Sequence, residues 1–298
     1  MGNGDVARII AAIRGDKAAL AGSLAVLFFI VLCLGGALIV PYSAATMPNL
    51  SMAMLLPGER GTLLGTDELG RDMLARIIWG GQNSLVIGLT SAVLGALPGV
   101  IIGLFAGYYS ESPISTAIMR LMDVLLAMPR ILLGIIVVTI LGPGEFSISL
   151  AIGVSTIPSF ARITRASTLA LRSAVFVEAS RAIGNYDRVT LIKHILPNIL
   201  SPLIVQFTLD AGQAILMASG LSFLGLGPQP PAAEWGLMIA QARVHLFSNP
   251  QLVLIPGLCL LFVTLGFNIV GDSLRDAIDP SLGRVSRSIR SAGVVTAR

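Results

Sequence analysis

Charge is what this 298-residue chain has least of: Asp, Glu, Lys and Arg make up 12% of it, about half the share of an ordinary soluble domain. Apolar residues supply 54%, so a soluble globular enzyme and a disordered chain are both disfavoured. Lysine is nearly missing. Lys17 and Lys193 are the only two, neither follows a glycine, and no G-x-x-x-x-G-K-[ST] loop for nucleotide phosphates exists. The two histidines, His194 and His245, stand far apart without a Cys or His at ligand spacing, which predicts no metal site. Cys33 and Cys259 sit inside apolar runs and read as small packing residues rather than a disulfide framework. There is no G-x-S-x-G elbow to hold a nucleophile. The net charge of +4 is spread between hydrophobic runs, unlike a nucleic-acid-binding face.

What is there instead is a series of long uncharged runs. A bilayer core of roughly 30 Å needs about 20 apolar helical residues, and six stretches approach that requirement. They are Ala18 to Val40, Ser84 to Gly107, a third entered amphipathically at Arg120 and Asp123 and wholly apolar from Ile131 to Leu141, Phe146 to Ile163, Ser201 to Leu224, and Leu252 to Gly271. The first is too long for a signal-peptide core and reads as an uncleaved anchor. An all-α polytopic membrane protein with six transmembrane helices is the expected fold class. Segment 1–17 would lie in the cytoplasm, 18–40 would span, 41–83 would form an external loop, 84–272 a five-helix core, and 273–298 a cytoplasmic tail. Gly88, Gly95, Gly99, Gly103 and Gly107 predict close backbone approach, the association mode available where lipid removes the hydrophobic drive.

Orientation follows from the basic residues, which are retained on the cytoplasmic side. Arg8, Arg14 and Lys17 precede the first run; Arg162, Arg165, Arg172, Arg181, Arg188 and Lys193 fill the connection between the fourth and fifth; Arg275, Arg284, Arg287, Arg290 and Arg298 fill the tail. The other side holds Arg60, Arg71, Arg76 and Arg243. Both termini are therefore expected in the cytoplasm.

The basic connection 162–198 is patterned. Leu171 to Ile183 favours helix, with Glu178 and Arg181 placed to pair at i and i+3 and with small residues at Ala179 and Ala182; Gly184 and Asn185 stop it. A second short helix is predicted from Arg188 to Leu196, ended by Pro197. The result is a helix-Gly-helix knuckle, rigid enough to seat in a partner's cleft.

Glu178-Ala179-Ser180-Arg181-Ala182-Ile183-Gly184, continued by Ile195-Leu196-Pro197, resembles the coupling loop of ABC importer permeases. Ser180 stands where that family has a second alanine, and the isoleucine before the final Leu-Pro is displaced. Leu64-Gly65-Thr66-Asp67-Glu68-Leu69-Gly70-Arg71-Asp72, Ser222-Phe223-Leu224-Gly225-Leu226-Gly227, Pro230-Pro231 and Glu234-Trp235-Gly236 look like the C-type permease subunits of dipeptide, oligopeptide and nickel importers. So do Gly107-Tyr108, Met119-Arg120, Asp123, Pro129, Gly271-Asp272, Arg275-Asp276 and Asp279-Pro280.

The resemblance implies a type I ABC importer permease fold and a non-catalytic subunit that binds no cofactor. It implies three kinds of partner besides the lipid bilayer, a homologous B-type permease, two ABC ATPase subunits carrying ATP and Mg, and an extracytoplasmic substrate-binding protein, and it implies no nucleic acid. The cargo would be a di- or oligopeptide, with nickel chelates, glutathione or opines as alternatives. Glu178, Ala179, Ser180, Arg181, Ala182, Gly184, Asp187 and Arg188 would dock the ATPase. An ion-coupled secondary transporter is the competing class; it calls for intramembrane ion ligands and an inverted repeat, whereas a single mid-run carboxylate, Asp210, is present and no repeat is evident.

Several polar residues carry two readings. Asp210 would line the pathway and meet a cationic group, or pair with a charge on another subunit. Arg120 and Asp123 would pair with each other or belong to the pathway. Gly65 to Gly80 reads as an interfacial helix, its stripe of Leu69, Met73, Leu74, Ile77 and Ile78 opposite Arg71, Asp72 and Arg76. It would serve packing, or it would meet a substrate-delivering protein through Asp67, Arg71 and Asp72. Leu226 to Gly236 reads as a Pro-stiffened external loop anchored by Trp235, or as an external gate.

Overall fold

The computed structural model describes residues 16–278. Among them the regular structure is helical, apart from one isolated bridge between Thr66 and Asp72. The basic residues Arg8, Arg14, Arg284, Arg287, Arg290 and Arg298, and the Asp279-Pro280 pair, lie outside the described residues.

Helix α1, Lys17–Ile39, begins at Asp16, whose carboxylate accepts the Ala18 N–H at 2.9 Å and so satisfies one of the free donors of the first turn. A π-helical turn at Val31–Gly35 interrupts it. After the short α2, Tyr42–Thr46, and a long loop, α3 runs from Met73 to Tyr108 over 36 residues, about 54 Å at 1.5 Å per residue. Helix α4, Pro113–Ala127, is capped by Ser112, and α5, Arg130–Leu141, follows at 98° to it. The break falls at Met128 and Pro129, where the ring disfavours helical backbone in the preceding residue. Helix α6 is Glu145–Leu171, α7 is Val175–Ala182, α8 is Asp187–Phe223, α9 is Trp235–Ala242 and α10 is Gln251–Ile278.

Five of these helices, α1, α3, α6, α8 and α10, are long and apolar enough to cross a bilayer; the bent pair α4–α5 makes a sixth crossing when counted together. The expected third span is thus a broken one. Helix α5 has 12 residues, about 18 Å, so by itself it reaches only partway through a core of roughly 30 Å.

The expected helix over Gly65–Gly80 is corrected. Residues 65–72 form a turn: Gly65 and Gly70 adopt φ of 77° and 74°, and the Asp67 carboxylate accepts the N–H groups of Leu69 and Arg71 at 3.0 and 2.9 Å. Asp72 then caps α3 through the Ala75 N–H at 2.8 Å, so Met73 to Gly80 are the first turns of a spanning helix. Side-chain competition for local N–H groups is what defeats the helical reading there.

Helices α3 and α6 lie parallel along a glycine stripe. Gly95 abuts Thr156, Gly99 abuts Phe160, Gly103 abuts Thr164 and Gly107 abuts Thr168, each so closely that a Cβ would collide with its neighbour. Gly88 does the same against Ile215 of α8. On the other flank α10 runs antiparallel to α8, Gly212 meeting Phe267 and Gly271 meeting Leu209, and antiparallel to α1, Gly22 meeting Ile269. The starts of α1 and α8 and the ends of α3, α6 and α10 therefore share one end of the bundle, the knuckle end. Apolar side chains such as Phe28, Leu97, Ile101, Leu258 and Phe262 are exposed along the spans, as a lipid-facing surface requires.

Candidate functional site

At the knuckle end, α7 is seated by Val177, which is buried with Leu104, Tyr108, Ile195, Ile199 and Leu203 of α3 and α8. Its other side is open. Ala179, Arg181, Ala182, Gly184 and Arg188 are exposed, and Val175, Ile183 and Tyr186 show 82%, 77% and 83% of their surface. A projection carrying small and apolar residues that nothing among the described residues covers has the composition of a docking surface. Gly184 ends the helix in the left-handed region at φ 82°, its N–H bonded to the Arg181 carbonyl at 2.9 Å, the usual C′ role of glycine.

Ser180, which departs from the family pattern, has a structural use. Its hydroxyl is buried, lies 2.9 Å from the Thr190 hydroxyl and accepts a bond from the Asn185 amide at 3.1 Å. It therefore staples α7 to the start of α8 and does not face outward. Glu178 and Arg181 do not pair as expected. Arg181 instead donates from Nε to the Tyr108 hydroxyl at 3.1 Å, with its guanidinium 4.7 Å from the Tyr108 ring centroid, a cation–π arrangement.

Asp187, itself exposed, also bonds back to the chain. It accepts the Tyr108 hydroxyl at 2.6 Å and the Tyr109 hydroxyl at 2.8 Å. The bond to this carboxylate, with partial burial, raises the Tyr109 phenol above its ordinary value, so the residue stays a protonated donor at neutral pH. Arg172 extends the cluster to Ser110 and Glu111. The hairpin is thereby clamped to the end of α3, and a displacement of α7 reaches that helix through hydrogen bonds as well as packing. A tyrosine pair at a helix end was the sequence signal for this clamp; its partner lies 79 residues from Tyr108, outside any local pattern.

A second polar group lies deeper. Asp210, halfway along the spanning part of α8, is paired within the chain: Arg130 Nη1 lies 3.3 Å from its Oδ1 and Gln206 donates to its Oδ2 at 2.7 Å. Arg130 also donates to Ser159 of α6 at 2.8 Å. Asp123 is bonded to Arg162 at 2.7 Å and not to Arg120, since the α4–α6 contact brings a cation from the neighbouring helix to it.

At the opposite end, the residues expected on a docking face are inside. Asp67 is buried with Arg71, Nε to Oδ2 2.6 Å, and with Arg76 at 3.3 Å; Arg76 also donates to the Ala45 carbonyl and to Gln241. Asp72 is spent on capping α3. Trp235 is corrected from a surface anchor to a core residue. It is fully buried, its Nε1 donates to the Ile77 carbonyl at 3.0 Å, and Phe29 packs edge-on at 5.8 Å. Glu234 beside it, also fully buried, accepts from Ser84, Ser219 and the Leu237 N–H at 2.9, 3.1 and 2.9 Å. The loop before α9 is thus pinned between α3 and α8.

Comparison with known proteins agrees with this architecture. The chain is 43% identical over 269 residues to the di/tripeptide transport system permease protein DppC of Pseudomonas aeruginosa, covering 88% of each chain. It is 40% identical over 264 residues to the glutathione transport system permease protein GsiD of Pectobacterium atrosepticum, covering 89% of this chain and 87% of that one. The dipeptide permease DppC of Alkalihalophilus pseudofirmus is 41% identical over 271 residues, 91% of this chain and 88% of the relative. An inward-facing structure of the MetNI methionine ABC transporter superposes with a TM-score of 0.57 at 18% identity, over 70% of this chain and 98% of that one, which gives the fold as that of a type I ABC importer permease. Residues 99–284 match the family model described as binding-protein-dependent transport system inner membrane component. With the exposed hairpin, the glycine-packed spans and these relatives together, the chain belongs to the binding-protein-dependent transport system inner membrane component family.

Proposed function

We propose that this chain is the C-type permease subunit of an ATP-driven importer that carries short peptides across the inner membrane. It forms half of the pathway with a homologous B-type permease, receives cargo from an extracytoplasmic binding protein, and is driven by two ATPase subunits that hold ATP and Mg. It has no catalytic site of its own. The knuckle end faces the cytoplasm, where Lys17, Arg165, Arg172, Arg181, Arg188, Lys193 and Arg275 gather, in keeping with the retention of basic segments on that side.

The observation that carries the reading is the knuckle from Val175 to Gly184, uncovered among the described residues and clamped to α3 and α8. Nucleotide can shift a two-state transporter only through contacts that differ between its states. An ATPase cleft gripping Ala179, Ala182 and Ile183 has direct purchase on α8, and through Asp187 on α3. Short peptides are the favoured cargo because one of the named relatives is described as a di/tripeptide permease and another as a dipeptide permease; glutathione, itself a tripeptide, is the second reading, from the third. Reconstitution of the complete importer in proteoliposomes tests this: ATP-dependent uptake of a labelled dipeptide or of glutathione is expected, and uptake that persists without ATP or without the ATPases would contradict it.

A further inference from the structure

The deep polar group has a direction. Asp210 keeps only 4% of its side chain exposed, whereas Arg130, its partner, keeps 40%. The carboxylate is covered and the arginine side chain is partly open. Arg130 uses Nη1 for Asp210 and Nη2 for Ser159, and a guanidinium has five N–H donors in a fixed fork. Those two bonds engage two of the five, which leaves three N–H groups for another acceptor.

Depth and surroundings restrict what that open side can meet. Ser159 lies toward the knuckle end of the apolar run of α6 and Asp210 near the middle of α8's spanning part, so Arg130 stands within the bilayer, where a half-exposed charge against lipid is costly and is instead turned to a water-filled path. Gln206 and Gln213 flank Asp210 on α8 at the spacing of one helical face, and Gln213 is exposed. A polar stripe thus interrupts helices whose other exposed residues, such as Leu216 on α8, are apolar. Arg130 is also the first residue of α5, where the broken span restarts, and the positive end of a half-helix favours an anion there.

We propose that Arg130 lines the translocation path and takes the terminal carboxylate of the passing peptide, with Asp210 holding the guanidinium in place. This rests on the peptide-importer reading above. Asp210 is a positioning residue: its charge is already matched, so it offers nothing to a substrate ammonium. A carboxylate arriving from the path accepts from the free edge of the fork while the Asp210 and Ser159 bonds persist, which lets the peptide be held and released without unpairing a buried acid.

The test uses the whole importer in proteoliposomes, with the buried Cys33 and Cys259 replaced by alanine and R130C introduced. Loss of charge-assisted bonds predicts a fall in uptake of about ten- to hundredfold. A methanethiosulfonate carrying an ammonium group is expected to restore uptake severalfold, one carrying a sulfonate is not, and saturating peptide is expected to slow both modifications. No modification in the assembled importer, equal effects of the two reagents, or a rate indifferent to peptide would each overturn the assignment. R130K and R130Q keep it falsifiable if R130C fails to assemble: uptake by R130K well above R130Q is expected, and equal uptake would assign the residue to packing alone. A wild-type importer that moves no peptide defeats the importer reading itself; a transporting wild type and parent, with variants indifferent to charge, defeat only the role of Arg130.

Discussion

The Tyr108 hydroxyl, at the last residue of α3, donates to the Asp187 carboxylate at 2.6 Å, joining the end of a glycine-packed span to the foot of the hairpin. Tyr109 donates to the other oxygen of the same carboxylate at 2.8 Å. The bond therefore has a mechanical reading as well as a structural one.

D187N keeps the shape and removes the charge. With Asp187 and Tyr109 exposed and only Tyr108 buried, each lost bond is worth about 0.5–1.5 kcal/mol, toward the lower end after solvent screening. ATP hydrolysis by the assembled importer is expected to persist while peptide moved per ATP falls about two- to tenfold; Y108F with Y109F should reproduce the effect. An unchanged ratio of transport to hydrolysis in D187N would remove the clamp from the transmission route.

G184V acts through backbone alone, since open space surrounds the position and φ is 82°. A left-handed conformation costs a side-chain-bearing residue about 1–2 kcal/mol, and a β-branched one more. Membrane insertion should be intact and copurification with the ATPases reduced. Retention of both copurification and transport would contradict docking through this turn.

G99L places a side chain where a Cβ already collides with Phe160 and the Ile157 carbonyl. The α3–α6 contact is backbone against backbone, so relief requires separating the helices, at about 1–3 kcal/mol or more. Thermal unfolding in detergent should show a clear drop for G99L and little change for G257A, since nothing lies within 4 Å of a Cβ at Gly257. Equal behaviour of the two would show that the stripe is not the packing seam.

E234A would orphan the Ser84 and Ser219 hydroxyls and the Leu237 N–H inside the bundle, at about 1–3 kcal/mol per unsatisfied group. E234Q keeps an acceptor oxygen but brings an amide donor into a cluster of donors, so its loss of thermal stability should lie between wild type and E234A. A stability for E234A equal to wild type would mean that the knot contributes nothing.

The spans were legible because lipid leaves few choices: uncharged runs near α1, α3, α6, α8 and α10 had to be helical. Gly95 to Gly107 announced a close seam, and Gly184 announced the turn. The partners were not legible. Arg130 and Asp210 are 80 residues apart, and Asp123 finds Arg162 only once α4 lies on α6, so local spacing pointed to Arg120 instead. Periodicity misread 65–80 because it weighs apolar faces and ignores the turn that Asp67 and two left-handed glycines impose. Trp235 had the composition of an interfacial anchor, and only the pinned loop before α9 turns it inward.

The most direct test of the coupling role is site-directed cross-linking at the knuckle. With Cys33 and Cys259 replaced by alanine, A182C in the complete importer is expected to cross-link to an ATPase subunit through a short bifunctional thiol reagent, with a yield that changes when ATP is added. An A182C that never cross-links to the ATPase, and that an impermeant thiol reagent labels from outside intact cells, would contradict the account.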